Sequence, residues 1–527
     1  MAPPAQSERT GRHAFLVASG ILLSRLVGLV RQSVFSGYFG ISYTADAFNA
    51  AWRIPNFLQN LFGEGVLSAS FIPVYARLLA EGDEEEADRV AGAIFAILAL
   101  TVSVLVLLGV LCAPLLIVAI APGFHGAKRD LTIHLVRILF PSIGLLVLSA
   151  WCLGILNSHR KFFLSYTAPV VASLAQIATM VAFRHQPVTT LAVTLAWGSV
   201  AGSGLQFGVQ VPTVLRLTRK LRPRLDTASA HVREVIRNFG PVFVSRGVVQ
   251  ISAYIDSLLA SLLGDGPVAA LFTAQTLNAL PVSLFGMAVS AAQLPAMSSA
   301  LGDEAQVAAN LRQRLDSGLR QIAFFVVPSA MAFLALGDVV TGALFQHGRF
   351  TRHDSVYVWG ILAGSAIGLL ASTLGRLYSS TYYALRDTRT PLRFAVIRVA
   401  LTGALGWLCA VPLPVWLGIE PRWGVAGLTA SAGVAGWVEF TLLRRTLNRR
   451  IGKTGLTASL TLRLWTSALM AAAAAWSIKL ALGTARPTID GAAILAVYGA
   501  TYFAVTYALQ VEESAGVLNR LARFAHR

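Results

Sequence analysis

The sequence contains little charge for its length. Only 13% of its 527 residues are Asp, Glu, Lys or Arg, compared with roughly 25% in soluble domains. Hydrophobic residues make up 55% of the chain, and the mean hydropathy is +0.64. An ordinary soluble fold is therefore excluded, and the composition predicts a polytopic membrane protein.

Cysteine is also scarce. Cys112, Cys152 and Cys409 lie in separate apolar runs far apart in the chain, which excludes a disulfide framework. The histidines lie mostly in loops and lack metal-ligand spacing, and no nucleophile occurs with a base. We therefore expect no metal, no cofactor and no enzymatic reaction.

Acidic residues are few beside basic ones, 25 against 43, which gives a net charge of +18. Such an excess can indicate nucleic-acid binding, but here most basic residues lie in short connections between apolar runs. If the N-terminus is cytoplasmic, the cytoplasmic connections hold 28 Lys and Arg and the opposite side holds seven. The positive-inside rule then places both termini in the cytoplasm, with no nucleic-acid partner.

Fourteen apolar runs are long enough to cross about 30 Å of hydrocarbon. The first lacks a convincing cleavage site, so it is interpreted as a membrane helix and not as a signal peptide. The predicted fold class is all-α with fourteen transmembrane helices. The runs cover residues 14–37, 47–79, 90–121, 131–156, 164–183, 188–215, 239–263, 268–297, 319–345, 355–384, 391–411, 421–443, 460–483 and 490–510.

An internal repeat occurs at an offset of about 222 residues. Arg25 corresponds roughly to Arg246, and residues 143–146 recur at 367–370. Six helices separate the copies, so both copies enter the membrane in the same direction. A parallel repeat predicts two six-helix lobes with the substrate site between them. The predicted segments are an N-lobe at 1–215, a basic linker at 216–238, a C-lobe at 239–450, and two last helices with a basic tail at 451–527.

Eight basic residues lie within the predicted spans. A charge at membrane depth costs at least about 2.5–3.5 kcal/mol and normally faces a water-filled cavity or a partner. Arginine binds phosphate through bidentate, charge-assisted hydrogen bonds. A cavity with several arginines and few carboxylates therefore predicts an anionic substrate. The eight residues are Arg25, Arg31, Arg53, Arg137, Arg246, Arg376, Arg398 and Lys479.

The first two helices concentrate these charges. Arg25 lies about eleven residues into the first run, some 17 Å from its start at about 1.5 Å per residue, which is close to mid-membrane. Arg31 lies six residues further on, on a different face of an ideal helix. Alternative roles stay open: Arg25 and Arg246 can snorkel at helix ends, and Arg53 can serve backbone groups that Pro55 frees.

Four acidic residues lie within or at the edge of the spans: Asp46, Glu64, Asp256 and Glu439. Each can restrain an arginine as its ion-pair partner, and this is the role expected for Glu64 and Glu439. Asp256 is a further candidate partner. Asp46 follows the turn after the first helix, so we expect it to belong to an external gate.

Four motifs in the first two helices are specific. They read Ser24-Arg25-x-x-Gly28-x-x-Arg31, Thr44-x-Asp46-Ala47-Phe48, Arg53-x-Pro55-Asn56 and Phe62-x-Glu64-Gly65-x-x-Ser68-x-x-Phe71-x-Pro73. Together they resemble the MurJ (MviN) family of lipid II flippases in the MOP exporter superfamily. The resemblance extends more loosely across the whole chain.

This resemblance implies export of lipid II, the undecaprenyl-pyrophosphate-linked peptidoglycan precursor, from the inner to the outer leaflet of the bacterial inner membrane. The two lobes would alternate access, with a coupling ion (proton or sodium) or the membrane potential left open as the energy source, and the last two helices would form a groove for the lipid tail. The helix 1 arginines of the family match Arg25 and Arg31, and its gate aspartate matches Asp46. Arg53, Asn56 and Arg246 are expected to complete the pyrophosphate cavity. The implied partners are lipid II, membrane lipids and the cell-wall synthesis machinery.

The sequence departs from the family pattern at two arginine positions. Gln59 and Asn60 stand where an arginine usually ends the helix 2 motif, and residues 270–300 contain no charge although helix 8 usually has an arginine. Two alternatives therefore stay open: a flippase for another polyprenyl-pyrophosphate-linked glycan, and a non-transporting scaffold for cell-wall enzymes. A multidrug cation antiporter is disfavoured because cation binding requires membrane carboxylates.

Overall fold

The computed structural model describes an all-helical chain over most of its length. The backbone is described at 4–62, 64–218, 221–287, 304–385, 387–483 and 486–516, and at Val289, Ser290, Gln293 and Met297. The side chains of 4–18, 21, 60, 64–65, 241–242, 244–253 and 304 lie outside the description. No β-strand occurs in the described ranges.

The chain forms two compact units, residues 1–254 and 255–527. The predicted boundaries of the two lobes, at 215 and 239, stay predictions. The helices up to the division are Pro4–Phe39 (α1), Tyr43–Phe62 (α2), Glu64–Ser70 (α3), Ile72–Glu81 (α4), Glu84–Leu111 (α5), Ala113–Ile120 (α6), Gly126–Ser158 (α7), Phe162–Ala182 (α8), Val188–Leu217 (α9) and Ala230–Ser261 (α10), and the division falls within α10.

The second unit continues with longer helices and several short ones. A π-helix at Val282–Met287 follows α11 directly, where Pro281 lacks the N–H that a regular helix would use. The helices are Pro267–Pro281 (α11), Glu304–Ala335 (α12), Gly337–Phe345 (α13), Arg352–Ala384 (α14), Arg389–Ala410 (α15), Pro412–Trp416 (α16), Gly424–Ile451 (α17), Ala458–Leu482 (α18) and Pro487–Ala508 (α19).

Eleven helical segments among the described residues are long and apolar enough to cross a membrane. The prediction of an all-α polytopic membrane protein is confirmed, whereas the count of fourteen spans is not. The first, second and seventh predicted runs have no counterpart among the eleven. The helices α1 and α10 contain residues outside the described set, and the second run is divided into α2, α3 and α4.

Several helix limits differ from those of the predicted runs, and for the third run the reasons are local. The helix α1 begins at Pro4, ten residues before the predicted start. The third run begins at Glu84 because the side chain of Asp83 caps the helix by accepting a hydrogen bond of 3.0 Å from the Glu86 N–H. That run then breaks at Cys112, just before a proline in the first turn of α6.

The helix α7 forms the centre of the first unit, where it packs against α2, α5 and α9. Gly109 of α5 allows the Phe140 ring to pack on its backbone, since a Cβ there would overlap the ring. The hydroxyl of Ser149 accepts hydrogen bonds of 3.1 and 2.6 Å from Gln206 and Gln210 of α9. Close backbone approach and buried amides thus hold these helices together.

The helix α14 has the same place in the second unit, where it packs against α11, α12 and α17. Gly368 and Gly433 lie backbone to backbone at the crossing of α14 and α17. Small residues at such crossings let membrane helices approach closely. The hydroxyl of Thr429 adds a hydrogen bond of 2.9 Å to the Ile361 carbonyl.

Both units repeat one set of helix pairings. The helix α7 contacts α2, α5 and α9 as α14 contacts α11, α12 and α17, and α8 packs on α9 as α15 packs on α17. Residues 143–146 and 367–370, which carry the sequence repeat, lie in α7 and α14. The two units therefore share one pattern of helix pairings, as the expectation of two related helix bundles predicts.

The last two helices are part of the second unit. The helix α18 packs against α12, and α19 packs against α13 and α18. The hydroxyls of Tyr498 and Tyr502 donate hydrogen bonds of 2.6 and 2.7 Å to the carbonyls of Pro328 and Phe324. These bonds join α19 to α12, and they satisfy tyrosine hydroxyls that would otherwise lie unpaired between two apolar helices.

The predicted linker at 216–238 is attached to the first unit through its acidic residues. Asp226 forms an ion pair with Arg89 of α5, and Glu234 pairs with Arg77 of α4 at 2.7 Å. The helix α10 already begins at Ala230, so the end of the predicted linker is helical.

Candidate functional site

Arg25 is exposed on α1. It lies fourteen residues before the end of α1 at Phe39, roughly 21 Å at 1.5 Å per residue. The preceding Ser24 hydroxyl donates a hydrogen bond of 2.5 Å to the Tyr166 carbonyl and holds α1 against α8. Arg25 forms no ion pair with any side chain that the structure describes. Its guanidinium is therefore available to an anion.

Arg31 is half-buried and lies on a different face of α1 from Arg25. Its guanidinium donates a hydrogen bond of 3.2 Å to the side-chain oxygen of Gln176 on α8. One continuous helix passes through Gly28, so no break in α1 brings Arg31 next to Arg25. The adjacent Gln32 is only 3% exposed, and its amide nitrogen has no hydrogen-bond partner among the described residues.

Asp46 is completely buried within the first unit. Its carboxylate lies 2.7 Å from the ammonium of Lys128, at the start of α7. The Lys128 nitrogen also lies 4.0 Å from the centre of the Phe124 ring, a cation–π contact. The predicted gate residue is thus held inside one unit, and its gating role stays a prediction.

Lys128 is a residue that the sequence interpretation missed, because it was counted among the loop cations. Its side chain is only 9% exposed, which is unusual for lysine unless it is paired. One signal in the sequence could have found it. Lys128 begins a long apolar run as Asp46 begins another, and opposite charges at adjacent helix ends can pair across a bundle.

Arg53 and Asn56 lie three residues apart on α2, with Arg53 half-buried and Asn56 exposed. Residues at this spacing share one side of a helix. The Tyr254 hydroxyl donates a hydrogen bond of 3.1 Å to the Arg53 carbonyl, and its ring meets Phe57 edge-on at 4.8 Å. These contacts attach α10 to α2 beside Pro55. The assignment of Arg53 and Asn56 to the substrate cavity stays a prediction.

Four further predicted residues lie on α3, α7 and α10. The side chains of Arg246 and Glu64 lie outside the described residues, so their contacts stay predictions. Asp256 is half-buried on α10, and its role as an ion-pair partner also stays a prediction. Arg137 is exposed on α7.

The remaining cations within spans lie in the second unit. Glu439 of α17 pairs with Arg398 of α15 at 3.1 Å, which confirms the expected role of Glu439. Lys479 of α18 pairs with Asp338 of α13 at 2.7 Å, so its charge is used to attach the last two helices. Arg376 is exposed on α14.

The chemistry available to this arrangement is electrostatic. The described residues contain no group of three or more His, Cys, Asp or Glu side chains that could hold a metal. Guanidinium groups within helices of membrane-spanning length offer several N–H donors and a charge that persists when solvation is poor. The arrangement suits binding of an anionic group within the membrane.

Comparison with known proteins identifies the family. A family model described as "Lipid II flippase MurJ" matches residues 35–487. The chain belongs to the MurJ family. A lipid II flippase MurJ from Burkholderia cenocepacia is 32% identical over 444 residues, which cover 83% of this chain and 84% of the relative. A probable lipid II flippase MurJ from Rhizobium tropici is 30% identical over 444 residues, covering 83% and 80%.

Solved structures share the fold of this MurJ family member. A lipid II flippase MurJ in an inward closed conformation superposes with a TM-score of 0.78 at 24% identity, covering 94% of this chain and 98% of that one. An inward-facing multidrug resistance MATE transporter of the MOP superfamily gives a TM-score of 0.66 at 16% identity, covering 83% and 98%. A transporter described as a multidrug resistance protein therefore has a similar fold.

The limits of the family match separate two groups of candidate residues. Asp46, Arg53 and Asn56 lie inside the matched range of 35–487. Arg25 and Arg31 precede it, so their assignment within the MurJ family rests on the motif around them and on their position in α1.

Proposed function

We propose that this chain is a lipid II flippase of the bacterial cytoplasmic membrane. It moves the undecaprenyl-pyrophosphate-linked precursor from the inner to the outer leaflet by alternating access of two lobes, with no covalent chemistry. The named activity of the relatives that match 83% of the chain supports this proposal. Both termini face the cytoplasm in this proposal, because 28 of the basic residues then lie in cytoplasmic connections.

The observation that carries the proposal is the pair of arginines on α1. Neither Arg25 nor Arg31 forms an ion pair with a described side chain. A charge at membrane depth is retained where it lines a substrate path. Uncompensated guanidinium groups at that depth select an anion, and a pyrophosphate offers the oxygens that guanidinium binds in a bidentate manner.

The proposed cycle separates the two parts of the substrate. The pyrophosphate and its sugars travel through the aqueous cavity with Arg25, Arg31, Arg53, Asn56 and Arg246, while the polyprenyl tail stays in the hydrocarbon along α18 and α19. Asp46 controls the external side. The other partners are the surrounding lipids and the enzymes that make and consume lipid II.

Complementation tests the proposal. A bacterial strain depleted of its own flippase receives this chain, Arg25→Ala, Arg25→Lys or the matched control Arg184→Ala, and lipid II in the outer leaflet is measured. Arg184 is an exposed arginine between α8 and α9. We expect rescue by the wild type and by Arg184→Ala, loss with Arg25→Ala, and partial rescue by Arg25→Lys, which keeps the charge but not the bidentate geometry.

Two outcomes would contradict the proposal. Failure of the wild type, present in the membrane, to raise lipid II in the outer leaflet would favour a scaffold that does not transport. Absence of lipid II movement in proteoliposomes, together with movement of another polyprenyl-pyrophosphate-linked glycan, would favour the other substrate class.

A further inference from the structure

Three charged side chains converge inside the second unit. The Arg398 guanidinium of α15 lies 3.1 Å from the Glu439 carboxylate of α17. Arg376 of α14 lies two residues from Tyr378, whose ring meets Phe440, the residue after Glu439, edge-on at 5.5 Å, so α14 and α17 meet beside this ion pair. Three helices therefore bring two positive charges and one negative charge together, which leaves a net charge of +1.

The two arginines lie at similar depth. Arg376 precedes the end of α14 at Ala384 by eight residues, and Arg398 follows the start of α15 at Arg389 by nine. At 1.5 Å per residue these distances are roughly 12 and 14 Å, both counted from the turn that joins the two helices. The cluster is thus placed well inside the helices and away from their ends.

Arg376 is the uncompensated member of the cluster. Its side chain is exposed and forms no ion pair with the side chains that the structure describes. Ser372 and Ser380, one helical turn away on either side, are also partly exposed. Both hydroxyls donate to backbone carbonyls of α14, so the polarity of this face comes from the Arg376 guanidinium, and a charge inside a membrane helix normally faces water or a polar partner.

Glu439 and Arg398 differ from Arg376 in exposure. Their side chains are 14% and 31% exposed, so the pair is more enclosed. The glutamate binds one nitrogen of the Arg398 guanidinium, which leaves further N–H donors in a fixed orientation. An anion beside Arg376 would meet a second guanidinium that is already oriented, so it would lose little additional side-chain entropy.

We propose that Arg376 and Arg398 form a phosphoryl-binding site, with Glu439 as the residue that positions Arg398. The inference rests on the proposed function, because the phosphoryl group that reaches this depth is the pyrophosphate of the lipid-linked substrate. The same chemistry occurs in anionic phospholipids and in inorganic pyrophosphate. The site supplies positive charge in a unit whose residues 270–300 contain none.

Binding to the purified full-length chain in detergent tests the site. The probes are lipid II, phosphatidylglycerol and inorganic pyrophosphate, each titrated by native mass spectrometry. For lipid II we expect about a 10- to 100-fold weaker Kd with Arg376→Gln, the range for loss of charge-assisted hydrogen bonds. The effect of Arg376→Lys should be intermediate, and Arg393→Gln, an exposed arginine near the start of α15, should stay within about twofold.

The positioning role of Glu439 requires its own comparison. Glu439→Gln should weaken lipid II binding and Glu439→Asp should recover most of it, because the aspartate keeps the negative charge that attracts Arg398 whereas the glutamine does not. Equal binding by Glu439→Gln and the wild type would overturn the positioning role. Only variants whose size-exclusion elution profile matches that of the wild type are titrated, so a misfolded variant is recognised beforehand.

The three probes separate the remaining outcomes. If the wild type fails to bind lipid II, the proposed function fails. If the wild type binds lipid II and Arg376→Gln binds it equally well, this site is overturned while the proposed function stands. If Arg376→Gln weakens only phosphatidylglycerol, the occupant is a membrane phospholipid and the substrate assignment is overturned. Weakening of lipid II and pyrophosphate together, with phosphatidylglycerol unchanged, supports the site.

Discussion

Replacing Lys128 with methionine should strongly destabilise the first unit. The Asp46 carboxylate is fully buried and lies 2.7 Å from the Lys128 ammonium. Removing one partner of a buried ion pair deprives the other of its counter-charge and costs about 3–5 kcal/mol. At roughly 2–4 °C per kcal/mol for a unit of this size, the midpoint of thermal unfolding should fall by about 6–20 °C.

The assay is thermal unfolding of purified variants in detergent, arranged as a double-mutant cycle. Asp46→Asn and Lys128→Met are measured singly and together, with Arg129→Met as the matched control at the next position. The double variant removes both charges, so it should be more stable than Lys128→Met alone. The reasoning is refuted if Lys128→Met unfolds within 2 °C of Arg129→Met (an assay threshold of about 1 kcal/mol).

The same variants test the predicted gate. If the pair is only structural, a stable double variant should regain transport of lipid II. If Asp46 acts as an external gate, the double variant should fold and still fail to transport. The comparison of stability with transport therefore separates the two roles of one carboxylate.

Two further perturbations follow from packing and burial. Gly368→Ala should destabilise the second unit by about 1–3 kcal/mol, because its Cβ would overlap the backbone of Gly433. Gly375→Ala, on the same helix with open space around its Cβ, is the control and should be neutral or stabilising in thermal unfolding. Burial lowers the pKa of the His159 imidazole below its usual 6.5, so the unfolded chain binds the proton more readily. The contribution of His159 to stability should therefore be complete above about pH 6.5 and decline as pH falls through the folded pKa. His159→Gln should flatten this decline in melting scans from pH 7.5 to 5.0, a range that extends roughly one unit or more on each side of the ordinary pKa of 6.5.

The hydropathy pattern predicted the helices well because it depends on each segment alone. An apolar stretch of about 20 residues favours a membrane helix whatever its neighbours are. Helix limits were less predictable. The caps at Asp83 and the break at Cys112 depend on single side chains and prolines, which an average over a window does not resolve.

Charge pairing was only partly predictable. Glu439 was expected to restrain an arginine, and the structure identifies Arg398 as the partner 41 residues away. Lys128 was assigned to a loop, although it is buried against Asp46, 82 residues away. The difference arises because burial of a charge depends on which helices are adjacent, and sequence distance contains little of that information.

The sequence by itself determined the fold class, the internal repeat and the excess of arginine within the predicted spans. These properties follow from composition and periodicity, which act locally or along one helix. Only the tertiary structure decided which arginines are neutralised and which are exposed. Arg398 has a carboxylate within 3.1 Å whereas Arg25 and Arg376 are exposed, and that distinction depends on the packing of α1 on α8 and of α14 and α15 on α17.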